Sequence, residues 1–245
     1  MKTALITGAN RSIGLETARQ LAEKGYFVYL GSRDLQKGKE TVDLLKPEGP
    51  ETIEAVQIDV SDSESIVLAS EMILQKSGKL DILINNAGIS GGFPQPPSQM
   101  KIDAIRQVFD TNFFGTIQVT QTFLDLLKKS DNPRIVNVTS GLASLTLHSD
   151  PMWQYFSFKG AAYGPSKTAL NAYTVALAHE LRETAFKINV VDPGFTATDF
   201  NQHRGAGKVK DAAAFIIKYA LIGEDGPTGK FFSKDMNGSG DESPW

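Results

Sequence analysis

Two tyrosine–lysine pairs of the same spacing lie eight residues apart in this chain, Tyr155 with Lys159 and Tyr163 with Lys167. Residues four apart on a helix are neighbours on one face. A lysine ammonium placed there favours the phenolate and lowers the phenol's ordinary pKa of ~10 toward neutrality. That is the chemistry of proton transfer to or from a substrate oxygen. Only the second pair has a helix to stand on. Tyr163 and Lys167 run into T168-A-L-N-A-Y-T-V-A-L-A-H-E-L181, and Pro165 fits a first helical turn, where its missing N–H costs nothing. Tyr155 and Lys159 are followed by Gly160, in an aromatic-rich stretch with no amphipathic continuation. The first pair therefore reads as part of a loop.

A pattern of short apolar runs alternating with helical stretches surrounds these residues. Strands are predicted at Thr3–Ile6, Tyr26–Leu30, Ile53–Ile58, Leu80–Ile84, Arg134–Val138, Lys187–Val191 and Lys230–Phe232. They are rich in Val, Ile, Leu and Phe without strict polar alternation, as strands buried on both faces of a parallel sheet are. Helices are predicted at Ser12–Lys24, Leu35–Lys46, Asp62–Lys76, Ile102–Lys128 and Ala161–Thr184. Asp34 and Ser61 are candidate N-caps, and Ser61 with Glu64 has capping-box spacing. Repeated β-α-β units imply an α/β, Rossmann-type doubly wound parallel sheet of about seven strands, expected as one domain over residues 1–245. Ligands of such sheets bind at the carboxyl ends of the strands.

The first of those ends is T7-G-A-N-R-S-I-G14, running into a helix. Glycines let this turn approach a pyrophosphate, which then sits on the helix N-terminus, so Gly8, Asn10, Arg11, Ser12, Ile13 and Gly14 are candidate cofactor contacts. The second strand ends in L30-G-S-R-D34, where an NAD site places an acid for the ribose 2′-hydroxyl. Here Ser32 and Arg33, with Arg11 on the same side, suit a 2′-phosphate, and Asp34 is better explained as a helix cap. The expected cofactor is NADPH, with NADH the alternative.

Further stretches follow the later strands: Q57-I-D-V60, I84-N-N-A-G88, V136-N-V-T-S140 and V191-D-P-G-F-T-A-T198. With T7-G-x-x-x-S-x-G14, Asn112 and Y163-x-x-x-K167, all in order, the whole chain resembles the short-chain dehydrogenase/reductase family, and within it the NADPH-dependent carbonyl reductases. The resemblance implies that Asn112, Ser140, Tyr163 and Lys167 form a catalytic tetrad. Tyr163 would be the proton donor, Lys167 its tuner and a ribose contact, Ser140 the polariser of the substrate oxygen, and Asn112 the holder of a relay water. It further implies an adenine contact at Asp59 with Val60, a ribose-side stretch at Asn86, Ala87 and Gly88, and a carboxamide clamp at Pro193, Gly194, Phe195 and Thr198. Ser12 departs from the glycine most members carry, and its hydroxyl is a candidate partner for the pyrophosphate.

Ser140 and Tyr163 stand 23 residues apart, wider than is common in the family. The added loop carries Met152, Trp153, Tyr155, Phe156 and Phe158, which either line an apolar pocket or pack the loop onto the body. Phe93, in F93-P-Q-P-P97, is expected to rim the same cleft, and Phe200 and His203 fall where the family has a mobile lid. Phe93, Trp153, Tyr155, Phe200, His203 and Ser140 are thus the candidate substrate contacts. No charged cluster marks a carboxylate or phosphate substrate, so a fairly apolar ketone or aldehyde is expected. The alternatives are an NAD-linked alcohol dehydrogenase and a non-catalytic NADPH-binding sensor. The chain's oligomeric state is left open.

Composition narrows the rest. A formal charge of −3 without a basic block gives no support to a nucleic-acid or membrane partner. The absence of cysteine excludes disulfides and thiolate chemistry and suits a reducing cytoplasm. The chain enters a strand-like segment at once, so no leader is expected. Three scattered histidines, without His-Glu-x-x-His, predict no metal site, and neither a G-x-S-x-G elbow nor a P-loop is present.

Overall fold

The computed structural model describes residues 1–45, 52–236 and 241–245. Seven parallel strands form one sheet: β1 Thr3–Ile6, β2 Phe27–Ser32, β3 Ile53–Gln57, β4 Ile82–Asn85, β5 Arg134–Val138, β6 Lys187–Asp192 and β7 Phe231–Ser233. Their order is β3-β2-β1-β4-β5-β6-β7, so the chain reverses direction of travel between β1 and β4. That reversal opens a crevice at the carboxyl ends of these two strands, where doubly wound sheets bind ligands.

The strands' period of two divides the core. Ala4 and Ile6 of β1, with Val28 and Leu30 of β2, face one apolar layer; Leu5 and Tyr29 between them face the other. The first layer is closed by helices α1 (Ser12–Glu23), α2 (Leu35–Leu45) and α8 (Val209–Ala220) through Leu21, Val42 and Ile216. The second is closed by α3 (Ser63–Ser77), α5 (Gly115–Leu127) and α7 (Tyr163–Glu180) through Ile73, Phe123 and Leu177. Each fully buried Leu, Ile or Phe contributes roughly 1.5–3 kcal/mol. Lys46, to which the sequence pattern extended α2, lies outside the described residues.

Two local expectations are corrected. The cap of α3 is Asp62, whose carboxylate accepts from the amides of Glu64 (3.0 Å) and Ser65 (3.4 Å). Ser61 instead donates its amide and hydroxyl to Asp59, at 2.9 and 2.6 Å. Asp34 does cap α2, accepting from the Lys37 amide at 3.1 Å. The stretch 102–128 is not one helix. It comprises α4 (Ile102–Phe109), a π turn Asp110–Phe114 and α5. The wider turn carries Asn112 fully inward, and π turns of this kind recur at functional sites. Short α6 (Leu145–His148) lies in the loop before α7.

Candidate active site

The crevice is sewn together from both sides. Thr7 Oγ1 accepts the amides of Asn86 and Ala87 at 3.0 Å each. The Asn86 amide side chain donates to the carbonyls of Thr7 (2.9 Å) and Gly8 (3.0 Å). These bonds bring the ends of β1 and β4 so close that only glycine fits. A Cβ on Gly8, which has φ +62°, would stand 2.9 Å from Ala87 Cα, and one on Gly14 would stand 2.6 Å from Asn86 Nδ2. Asn86 and Ala87 therefore build the cradle.

The donor set of this half fits a dinucleotide phosphate. No side chain caps α1, so its first-turn amides remain available to an anion. Arg11 and Arg33 are exposed on the same rim, and among the described residues neither guanidinium makes an ion pair or hydrogen bond. Ser32 does not join them. It is buried, and its hydroxyl donates to the Asp34 carbonyl at 2.8 Å, so its proton is committed to a turn rather than to a phosphate. Ser12 takes a left-handed conformation (φ +50°), and its hydroxyl donates to Asp199 at 3.2 Å rather than standing free. Asn10 is tied to α2, its carbonyl accepting from Thr41 at 3.2 Å, and Ile13 packs against the first core layer. Asp59 holds Ser61, and Val60, buried next to it, presses its carbonyl on α5: a Cβ on Gly115 would come within 2.6 Å of that oxygen.

Four elements deliver the reacting side. Two residues past the end of β5 stands Ser140, whose Oγ accepts from the Leu142 amide at 3.2 Å and so keeps its own proton to donate. Tyr163 and Lys167 occupy the first turns of α7. Lys167, 4% exposed, donates to the Val138 carbonyl at 2.8 Å, leaving two of the ammonium's three protons for a ligand. Gly88 separates Lys167 from Asn112: a Cβ there would lie 3.6 Å from Lys167 Nζ and 3.2 Å from Asn112 Oδ1. Asn112 accepts from the Ile89 amide (2.8 Å) and donates to the Ile89 carbonyl (2.9 Å) and Ser166 Oγ (3.1 Å). Its side chain pins the end of β4 to α7 and has no donor left for a relay water.

Gln95 was not expected in this role. Buried within the proline-rich run, it accepts from the amides of Ala162 (3.2 Å) and Tyr163 (3.1 Å) through Oε1. Its Nε2 donates to the carbonyls of Ser90 (2.6 Å) and Gly92 (2.7 Å). Gln95 thus caps α7 from a distant loop and fixes where Tyr163 starts.

Two carboxylates complete the floor. Asp192, at the end of β6, accepts from Ser233 Oγ (2.6 Å) and the Gly194 amide (3.0 Å). Asp235 accepts from the Phe195 amide (3.0 Å) and the Tyr155 hydroxyl (3.3 Å). Gly194 bends between them with φ +77°, and a Cβ there would stand 2.5 Å from Asp235 Oδ1. Pro193 and Thr198 are buried, and the Thr198 amide donates to Asn201 at 3.2 Å. The clamp segment is therefore held in shape, but the Phe195 amide is spent on Asp235.

This electrostatic setting reverses one expectation. Burial and the Asp192 charge push the Tyr163 phenol well above its ordinary range, with only Ser140 pulling it down. Burial also pushes Lys167 down to about 8. The spacing predicted a lysine that lowers the phenol; instead its ammonium donates to the Val138 carbonyl, and the charge that acts on the phenol is that of Asp192.

Aromatic rings wall the space above. Phe200 packs 5.4 Å from the Tyr163 ring, and Tyr155 bridges Trp153 (5.5 Å) and Phe195 (6.0 Å) edge to face. The Trp153 ring would meet a Cβ on Gly141 at 3.5 Å, which sets it against the residue following Ser140. His203 is exposed and pairs with Asp199 at 3.1 Å, on the turn that Ser12 holds. Phe93 lies elsewhere. It lines a separate apolar cavity of about 510 Å³ with Leu145, Phe158 and the outer face of α7, and neither Tyr163 nor Ser140 borders that space.

Among the described residues no cluster of His, Cys, Asp and Glu could hold a metal ion, and no helix is long and apolar enough to cross a membrane.

A family model described as short chain dehydrogenase matches residues 2–208. (+)-Neomenthol dehydrogenase of Capsicum annuum is 33% identical, the match covering 94% of this chain and 94% of that protein. Among solved structures, salutaridine reductase from Papaver somniferum is similar at TM-score 0.82 and 29% identity, covering 96% of this chain and 100% of that one. ElxO with NADP bound is similar at TM-score 0.81 and 27% identity, covering 95% and 96%.

Proposed function

The chain belongs to the short-chain dehydrogenase family, and we propose that it is an NADPH-dependent reductase of fairly apolar ketones or aldehydes. The observation that carries this reading is the meeting of a protonated phenol, a serine hydroxyl beside it that keeps a proton to donate, and a buried ammonium, at the carboxyl end of β5 and the start of α7. The reductases named among its relatives support it.

When bound, the nicotinamide cofactor supplies the hydride that reduces the carbonyl carbon. The first-turn amides of α1, with Arg11 and Arg33, would hold its phosphates; Lys167 would hold ribose hydroxyls with its two uncommitted protons. As negative charge develops on the substrate oxygen, Ser140 donates a hydrogen bond to it. Tyr163, protonated across the physiological range, gives its proton to the same oxygen. Trp153, Tyr155, Phe195 and Phe200 exclude water and favour an apolar substrate. Asn112 and Gln95 act through position, one pinning β4 to α7 and the other setting the first turn of α7. The whole chain works as one domain, and a cysteine-free chain suits the cytoplasm.

The test is nicotinamide absorbance with NADPH or NADH and a panel of ketones and aldehydes. Turnover with NADPH is expected. No turnover with either cofactor would defeat the enzyme reading and leave the sensor; a clear NADH preference would refute the role given to Arg11 and Arg33.

A further inference from the structure

Asp192 takes no part in the proton transfer described above, yet its charge acts on Tyr163 more strongly than any other. Strand β6 delivers it. Val191 pairs with Val138 of β5 and Asp192 with Ser233 of β7, so the carboxylate emerges beside Ser140 and Gly141. Ser233 Oγ donates to Oδ2 at 2.6 Å, the Gly194 amide to Oδ1 at 3.0 Å, and the Gly141 amide also acts on it. A Cβ on Gly141 would stand only 3.2 Å from Oδ2. Among the described residues no lysine or arginine pairs with this buried carboxylate. An acid with three neutral donors and no cation thus sits beside Gly141, and the next residue, Leu142, packs its carbonyl on Gly164, where a Cβ would stand 2.9 Å from it, directly after Tyr163.

Resting on the reading of Tyr163 as proton donor, we propose that Asp192 is a positioning residue that keeps the Tyr163 phenol protonated and so suits the site to carbonyl reduction rather than alcohol oxidation. Two negative charges repel strongly where little water screens them, so an ionised Asp192 opposes formation of the phenolate. The titratable groups coupled to it are Tyr163 of α7, Asp235 of the turn after β7, and Tyr155 of the loop before α7. Burial, helped by Asp235, pushes the Asp192 carboxyl up to about 6 against the pull of Ser233 and the two amides. Its charge is therefore full above that pH and fades below it. The equilibrium between ketone and alcohol belongs to the reactants; Asp192 sets the fraction of enzyme ready for each direction at a given pH.

The experiment compares wild type with Asp192→Asn in NADP-linked alcohol oxidation between about pH 5 and 8, below the loss of the Lys167 charge. In the wild type the rate should climb by less than a decade per pH unit while Asp192 ionises, and in the variant by a full decade. Toward pH 8, where Asp192 is fully ionised, the variant should oxidise alcohol about tenfold faster, one unit of phenol pKa being a factor of ten. Superimposed profiles would overturn the proposal. A second measurement needs no turnover: ultraviolet difference titration of tyrosine ionisation, with Tyr163→Phe made in each background to isolate the one phenol. Tyr163 should ionise at lower pH in the Asp192→Asn background than in the wild type. An unmoved titration overturns the proposal even in an active enzyme; a moved one upholds it even if no carbonyl is turned over and the proposed function has failed. Ser233→Ala is the milder variant should Asp192→Asn not fold. Losing that bond keeps Asp192 protonated to higher pH, so the inflection in the oxidation profile should move up, and a fixed inflection would count against the proposal.

Discussion

Tyr155–Lys159 and Tyr163–Lys167 share one spacing and end in opposite circumstances. The second pair opens an 18-residue helix, and its lysine is buried on a backbone carbonyl. The first lies in a loop of turns, and its partners separate. Lys159 donates to the carbonyl (2.7 Å) and Nδ1 (2.9 Å) of His148 and lies over the Phe156 ring, while Tyr155 reaches across to Asp235. Yet the two tyrosines share one feature. Each phenol stands near a carboxylate, and burial with that charge pushes Tyr155 up to about 12 and Tyr163 higher still. What distinguishes them is a scaffold, with a distant glutamine holding the helix start and a serine donor beside the phenol.

Changes to the lysines should break this contrast most sharply. Lys167→Met is expected to lower turnover roughly 10²-fold, the cost of a misplaced cofactor, while Lys159→Met leaves it within about threefold. Steady-state rates with NADPH decide it. Wild-type reduction should also decline as pH rises through about 8, where Lys167 loses its charge. Next in size is Gln95→Leu, which orphans the amides of Ala162 and Tyr163. At about 1–3 kcal/mol for each buried unsatisfied group, chemical denaturation should show a loss of several kcal/mol, with kcat falling because α7 no longer starts in register.

Smaller effects sharpen the same contrast. Arg33→Ala should raise the Kd for NADPH about 10- to 100-fold, as the loss of a charged hydrogen bond does, and leave that for NADH unchanged; fluorescence titration distinguishes these outcomes. Asp192→Asn should change stability with pH. The native carboxyl, near 6, binds its proton more tightly than an unfolded one near ~4, so wild-type stability is lost as pH rises between these values. Asn does not ionise. Relative to their difference at pH 4, the variant should gain on the order of 1–3 kcal/mol at pH 8, read from unfolding at both values.

Much of the frame was legible because periodicity reports burial. β1 and β5 run between the residues the apolar pattern marked, and the other strands differ by one or two residues. Strand ends then located Ser140, Tyr163 and Lys167. What stayed hidden depends on contacts far apart in sequence. Nothing local marks Gln95 as the cap of α7, since the two amides its Oε1 accepts from, those of Ala162 and Tyr163, are brought there by folding. The break at Asp110–Phe114 is equally silent: it ends where Gly115 packs on the carbonyl of Val60, a residue far off in sequence. Asp192 did leave a trace, an acid closing the apolar run I188-N-V-V191 of a strand buried on both faces. Ser32 and Ser61 were misread for one reason: a hydroxyl in a turn is taken by its own neighbours, Asp34 and Asp59, before a ligand or helix can use it.

The central claim is that Tyr163, and not Tyr155, gives the proton. It is tested most directly by measuring kcat for Tyr163→Phe and Tyr155→Phe side by side with NADPH and a ketone the wild type accepts, with NADPH binding followed in both. Tyr163→Phe should bind NADPH normally and turn over at least about 100-fold more slowly, while Tyr155→Phe keeps kcat within about threefold and raises KM. Full activity in Tyr163→Phe, or its loss in Tyr155→Phe alone, would contradict the account.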